Sequence, residues 1–223
     1  MRRIPEPELM DDDAQARAYA EADFSEPHDN FVALFREALP GLDPAGHALD
    51  LGCGPADVLI RFARAFPACR LDGVDGAAAM LRYGREAVAR AGLAERVRLI
   101  EGYLPGAALP ETAYDAIISN SLLHHLADPA VLWASIKRWG QPGAAVFVMD
   151  LRRPDSPEQA EAMVRQYAAN EPDILRWDFH HSLRAAYRPD EVRAQLRAAG
   201  LDGLAVREIG DRHLIVWGRL AVA

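Results

Sequence analysis

The chain has 223 residues, and half of them are hydrophobic, enough for one domain with a single sizeable core. Its 33 acidic against 25 basic side chains leave a net charge of −8, which argues against a nucleic-acid polymer or an anionic membrane as the main partner. Two cysteines, Cys53 and Cys69, do not make a disulfide framework, and no Cys/His spacing resembles a structural zinc site.

The first residues, Met1 to Met10, carry two arginines but no apolar stretch, so no secretory signal is expected. No run approaches membrane-spanning length, and a cytoplasmic location is the default expectation. Residues 1–44 read as an N-terminal helical cap. Pro5, Pro7 and Asp11-Asp12-Asp13 keep its start irregular, and a helix-compatible segment follows from Ala14 to Asp23. Phe31, Leu34, Phe35 and Ala38 then recur at the spacing of an amphipathic helix. This helix covers the sheet in one reading; in the other, Tyr19, Phe24 and His28 form a lid over a cofactor site.

The first strand is predicted at Ala48–Leu51, followed by Gly52-Cys53-Gly54 and a helix from Pro55 to Phe66. Pro55 suits a first helical turn, where its missing N–H costs nothing. A second strand, Arg70–Val74, ends at Asp75, and the helix Ala77–Ala91 stops at Gly92. Strands follow at Val97–Glu101 and Tyr114–Ser119, the latter apolar on both faces as a buried central strand should be. Asp128 and Pro129 open a helix with core residues Leu132, Ser135, Ile136 and Trp139, and a fifth strand, Ala145–Met149, ends at Asp150. Residues 152–188 interrupt the alternation. A last helix starts at Pro189 and stops at Gly200. The runs Leu204–Ile209 and Arg212–Trp217 around Gly210-Asp211 then predict a hairpin with a type II′ turn. Alternating strands and helices imply an α/β fold, a mostly parallel sheet covered on both faces.

Asp50, Asp75, Glu101, Asn120 and Asp150 all fall at or near the carboxyl ends of successive strands, where open parallel sheets bind ligands. Asp75 stands about twenty residues beyond the glycine turn, where an acid accepts both ribose hydroxyls of a nucleotide. It also directly precedes a helix, so a capping role is open to it. A dinucleotide would want Gly-x-Gly-x-x-Gly facing a pyrophosphate. Here Pro55 removes an N–H, and Asp50 and Asp57 add negative charge. That electrostatic pattern favours a cofactor with a cationic sulfonium and an ammonium.

Leu49-Asp50-Leu51-Gly52-Cys53-Gly54-Pro55 resembles the first motif of the class I S-adenosylmethionine-dependent methyltransferases, and Gly73-Val74-Asp75 resembles their second-strand motif. Tyr114 to Asn120, with Leu122-Leu123-His124-His125-Leu126, is similar to their fourth-strand segment, and Gln141-Pro142-Gly143-Ala144 to the turn before the fifth strand. The resemblance implies a single domain, 1–223, with a Rossmann-like, doubly wound, seven-stranded sheet, mostly parallel with an antiparallel last strand, in three α-β-α layers. It implies S-adenosylmethionine as cofactor and methyl transfer as the reaction. Gly52 and Gly54, with Cys53 between them, would let the backbone pass the methionine moiety, whose amino group Asp50 would meet. Asp75 would hold the ribose, with Gly76 beside it, and Asn120, Ser121 and Leu122 would lie near the sulfonium. Tyr19, Met80 and Gly102 complete the implied cofactor site. Two positions depart from the family's pattern. Ala56 stands where many members carry a third glycine, and Tyr103 stands where many carry an acid for the adenine amino group.

Methyl transfer from a sulfonium mainly requires alignment and exclusion of water, and a general base only when the nucleophile arrives protonated. His125, with His124 beside it, is the expected base or substrate contact. Asn120 and Asp150 are too few donors for a hard-cation site, so no metal is expected. Substrate contacts are expected from the 152–188 insertion: Arg152, with Arg153, for a carboxylate or phosphate, and Trp177, Phe179, His180 and Tyr187 for an aromatic pocket. Arg152 and Arg153 could equally be a solvated pair, and the aromatic residues the core of a helical lid. The partner expected is a small molecule, and the chain a monomer or a homodimer. Three other readings stay open: a nicotinamide- or flavin-dependent oxidoreductase, a catalytically silent binding protein, and use of the cofactor for something other than methyl transfer.

Overall fold

The computed structural model describes residues 1–6, 10–111 and 113–222, so Pro7 lies outside the described residues. Seven strands form one sheet: β1 (His47–Leu51), β2 (Arg70–Asp75), β3 (Val97–Glu101), β4 (Tyr114–Asn120), β5 (Gly140–Leu151), β6 (Ala205–Ile209) and β7 (His213–Arg219). Their spatial order is β3-β2-β1-β4-β5-β7-β6. The first five pair in parallel, and β7 runs antiparallel to both β5 and β6. The strand order therefore reverses beside β1, between the crossover to β2 and the crossover to β4, and the ligand crevice of such a sheet opens there.

Among the described residues eight α-helices accompany the strands: α1 (Asp13–Glu21), α2 (Ser25–Ala38), α3 (Asp57–Ala65), α4 (Ala78–Arg90), α5 (Ala130–Trp139), α6 (Pro157–Tyr167), α7 (Asp173–Ala185) and α8 (Pro189–Ala199). One face of the sheet is closed by Phe31 and Phe35 of α2, Leu59 and Phe62 of α3, and Leu81 and Val88 of α4. The other face packs on Leu132, Trp133 and Ile136 of α5 and Val192 and Leu196 of α8. The apolar spacing that predicts these helices puts each buried set on one side of its helix. The insertion folds as α6 and α7, which pack on each other beside the end of β5. None of the described helices is long and apolar enough to cross a membrane.

Three local features differ from the sequence expectation. Helix α3 starts at Asp57, not Pro55, because Ala56 sits in the left-handed region (φ 67°, ψ 16°), which a right-handed helix cannot contain. Strand β5 begins at Gly140, directly after α5, and pairs Gly140 with Tyr114 before the register shifts. The closing hairpin pairs Ile209 with His213, leaving three loop residues rather than two. The Arg212 carbonyl accepts the N–H of Arg152 at 2.8 Å, which extends the β5–β7 pairing one residue past Leu151 and His213.

The side chain of Phe147 on β5 meets Phe31 and Phe35 of α2 edge-on, at centroid separations of 4.9 and 5.6 Å. Phe147→Ala should lower unfolding stability by about 3–5 kcal/mol in urea titrations, the usual cost of deleting a buried aromatic ring. An unchanged midpoint would mean that α2 is not seated on the sheet as described.

Candidate active site

The loops after β1, β2, β3 and β4 surround a cavity of about 920 Å³. The loop after β1 is bent by Gly52 (φ 72°) and Gly54 (φ 50°) and pinned to the next strand, since the N–H groups of Gly52 and Cys53 both donate to the Val74 carbonyl, at 2.8 and 3.1 Å. A Cβ on Gly52 would press on the Leu122 side chain at 2.8 Å, whereas one on Gly54 would meet no atom within 4 Å and would occupy the open space the backbone borders. Glycine is required at the first position by both φ and packing, and at the second by φ.

Asp75 ties this loop to α4. Its Oδ2 accepts the Gly54 N–H and its Oδ1 the Ala77 N–H, both at 2.8 Å. Burial pushes the Asp75 carboxyl up, against the pull of those hydrogen bonds. Asp50, at the carboxyl side of β1, is buried, and its Oδ1 has no hydrogen-bond partner. Burial first, then the charge of Asp75, drives the Asp50 carboxyl well above the usual carboxylate range. On the far side of the glycines, Asp57 receives His28 Nδ1 at 2.5 Å and Arg61 Nε at 3.0 Å. Burial raises its carboxyl, but those two partners outweigh it and leave Asp57 below its ordinary value.

All twelve residues expected to contact a cofactor line this one cavity: Tyr19, Asp50, Gly52, Cys53, Gly54, Asp75, Gly76, Met80, Gly102, Tyr103, Asn120 and Ser121. Tyr19, Phe24 and His28 stand together over it, with successive ring centroids 4.9 and 5.4 Å apart. Burial lifts the Tyr19 phenol to about 12. Tyr103 stays 61% exposed at the rim. The sequence reading missed Tyr83 and Ala87, which line the wall with Met80. Their spacing along α4 from Met80 was the available signal, since residues three or four apart share a helix face.

The expected substrate residues are placed differently. His125 lines the cavity beside Leu122 and Leu126, whereas His124, Arg152, Trp177, Phe179, His180 and Tyr187 do not. Buried His124 holds Asp150 Oδ1 through Nδ1 at 2.5 Å, and Asp150 also accepts the N–H groups of Leu123 and Leu151, both at 2.7 Å. Asp150 is thus turned toward the histidine rather than toward Asn120. Burial opposes the charge on His124, but Asp150 and Glu6 prevail and raise its imidazole. Arg152 reaches the Asp211 carbonyl at 2.9 Å and Glu208 at 3.7 Å, and Arg153 reaches Glu191 at 2.6 Å. Neither is an anion receptor at the cavity. Trp177 is 56% exposed and stacks on His181, and Phe179 packs in the α6–α7 cluster. His180 meets His181 edge-on, and Tyr187 donates to the Leu126 carbonyl at 3.0 Å under the guanidinium of Arg3.

Residues 48–143 match a family model described as a methyltransferase domain. Over these residues the chain is similar to a methyltransferase domain. An uncharacterized methyltransferase of Mycobacterium tuberculosis is 26% identical over 173 residues, 76% of this chain and 85% of that one. A trans-aconitate 2-methyltransferase of Azoarcus is 32% identical over 116 residues, 52% of this chain but only 43% of that one. Among solved structures, a SAM-dependent methyltransferase from Aquifex aeolicus superposes with a TM-score of 0.69 at 20% identity, covering 94% of this chain and 99% of that one. The fold is therefore the seven-stranded class I fold expected from the motifs. The motifs imply S-adenosylmethionine, and the residues here fit it. The unpartnered Oδ1 of Asp50 suits an ammonium, the open side of Gly54 admits a close-passing ligand, and Asp50 and Asp75 together favour a cation over a phosphate.

Because the Asp50 carboxyl is raised in the folded state, the empty protein binds more protons than the unfolded chain above the ordinary carboxylate value, and stability falls as pH rises through the raised one. Asp50→Asn should remove that decline, raising the Tm of the cofactor-free protein at neutral pH while weakening cofactor binding. Melting curves across pH, paired with calorimetric titration of S-adenosylhomocysteine, check both halves; a Tm–pH profile identical to that of the parent would contradict the assignment.

Proposed function

We propose that the protein transfers the methyl group of S-adenosylmethionine to a small-molecule acceptor. The observation that carries this reading is the orphaned Asp50 carboxylate oxygen, in a cavity whose other acid at a strand end, Asp75, is half-buried. A nicotinamide dinucleotide would bring a pyrophosphate against these acids, so the oxidoreductase reading is disfavoured. The cofactor supplies an electrophilic methyl group on a sulfonium, which leaves as a neutral thioether. Asp50 would hold the amino group. Asp75 already uses one lone pair of each oxygen on a backbone N–H and keeps the others for ribose hydroxyls. Tyr19 and Phe24 would exclude water from above. His125 is the titratable side chain on the β4 side of the cavity, beside Leu122, and would meet the acceptor there and take its proton when the acceptor arrives as an alcohol or phenol. The cavity has Arg61 and Arg90 in its lining, but Arg61 is paired with Asp57 and Asp29. With Arg152 and Arg153 also committed elsewhere, a neutral or singly charged acceptor is favoured over a polycarboxylate.

S-adenosylhomocysteine should bind in the micromolar range by calorimetry, and absence of heat with folded protein would end the cofactor assignment. Asp75→Ala should weaken that binding by about 1–3 kcal/mol, the worth of hydrogen bonds to a charged group. Because Asp75 also braces the glycine turn, circular dichroism and a melting curve must show that the variant is folded. His125→Ala should leave S-adenosylhomocysteine binding unchanged and lower turnover with any acceptor found by screening alcohols, phenols and amines for adenosylhomocysteine release; undiminished turnover would remove His125 from the reaction.

A further inference from the structure

The N-terminal arm is folded into the protein beneath α7, not draped over it. Arg3 donates to the carbonyls of His124, Leu126 and Ala185, and the Ile4 N–H donates to the Arg184 carbonyl at 3.0 Å. This brings Glu6, nearly buried, against the 3-10 turn Leu123–His125 that follows β4. One carboxylate oxygen of Glu6 stands 3.4 Å from His125 Nδ1 and 3.6 Å from His124 Nε2. The three donor atoms lie within 4.8 Å of one another, and among the described residues no other His/Cys/Asp/Glu group of three gathers this closely.

From this arrangement we infer a binding site for a divalent transition-metal ion of the zinc, cobalt or iron class, held by Glu6, His124 and His125. Donors about 2.0–2.1 Å from one tetrahedral ion stand about 3.4 Å apart, close to the two separations observed and longer than a good hydrogen bond. Two imidazoles and one carboxylate are a donor set that suits such ions rather than magnesium or calcium. The Asp150 carboxylate on His124 Nδ1 fixes that ring with Nε2 toward Glu6, the outer support that metal-binding histidines usually have. Ser182 Oγ donates to Glu6 at 3.1 Å and orients the carboxylate. The local charge also favours a cation: Glu6, Asp150 and Asp178 are opposed by the single guanidinium of Arg3, with His181 at the edge of the group.

This site lies apart from Asn120, the residue that sequence reasoning paired with Asp150 when weighing a metal. It borders the cofactor cavity through His125, so an ion there would meet an oxygen donor entering that cavity and lower its pKa, taking over the task assigned to the His125 imidazole. The inference does not depend on methyl transfer. Chelator-treated protein should bind one equivalent of Zn²⁺ or Co²⁺ by calorimetry. The Co²⁺ form should show visible d–d absorption without the near-ultraviolet thiolate band that Cys53 or Cys69 would produce. Glu6→Gln and His125→Asn, each verified as folded by its melting curve, should weaken Zn²⁺ binding by about tenfold or more, the scale of losing one ligand. S-adenosylhomocysteine affinity should stay intact in Glu6→Gln, separating the metal from the cofactor. Absence of stoichiometric binding, a thiolate band, or unchanged affinity in both variants overturns the site and leaves a hydrogen-bonded Glu6–histidine cluster.

Discussion

Three backbone N–H groups of the loop after β1, two received by the Val74 carbonyl and one by the Asp75 carboxylate, join it to the end of β2, and the Ala77 N–H holds that carboxylate from the other side. The bend that brings the backbone to the cavity is thereby fixed before any ligand arrives, and Gly84 lets α4 close on it, since a Cβ there would come within 3.2 Å of the Pro55 backbone. Everything on the ligand side inherits this geometry. Asp50 is placed by the end of β1, Met80 and Tyr83 by α4, and Asn120 by the neighbouring β4. A wall formed by backbone hydrogen bonds loses little freedom when it binds something, which is where preorganised sites gain affinity.

The same wall concentrates negative charge in a poorly solvated place. Burial and the charge of Asp75 raise the pKa of Asp50, and among the described residues no hydrogen-bond donor reaches its buried Oδ1. Asp57, a short distance along the turn, is treated oppositely, with His28 and Arg61 both bound to it. The chain pairs Asp57 with cations and leaves an oxygen of Asp50 without a partner. Such strained electrostatics at a strand end are a common mark of a binding site, because folding alone would select against them.

Much of this could be read from the residues because it depends on local pattern. Strand ends, glycine spacing and helix periodicity are short-range signals, and the motifs built on them carry the resemblance that implies twelve cofactor positions, all of which line one cavity. The insertion was less legible. The sequence leaves 152–188 as an interruption of the alternation, its aromatics either lining a pocket or filling a helical lid, and here Phe179 fills the α6–α7 cluster while Trp177 is largely exposed. Arg152 and Arg153 looked available only because their partners, Asp211 and Glu191, lie far along the chain. Glu6 is the extreme case. A lone acid in an irregular proline-containing segment carries no periodic signal, and only the folded arm brings it to His124 and His125.

That arm also sets an order of events. Its anchors are residues of the second half of the chain, namely the carbonyls of Arg184 and Ala185, the ring of Tyr187 and the side chain of Ser182. Chains are made from the N-terminus forward, so the arm, made before α7, waits for those anchors before it can dock. The β1–β4 framework with its glycine turn can be synthesised in full while Glu6 is still solvated. The cluster of Glu6 with His124 and His125 is therefore assembled after that framework in the nascent protein, and a truncated chain ending before α7 would keep the glycine turn but lose the anchors of the arm.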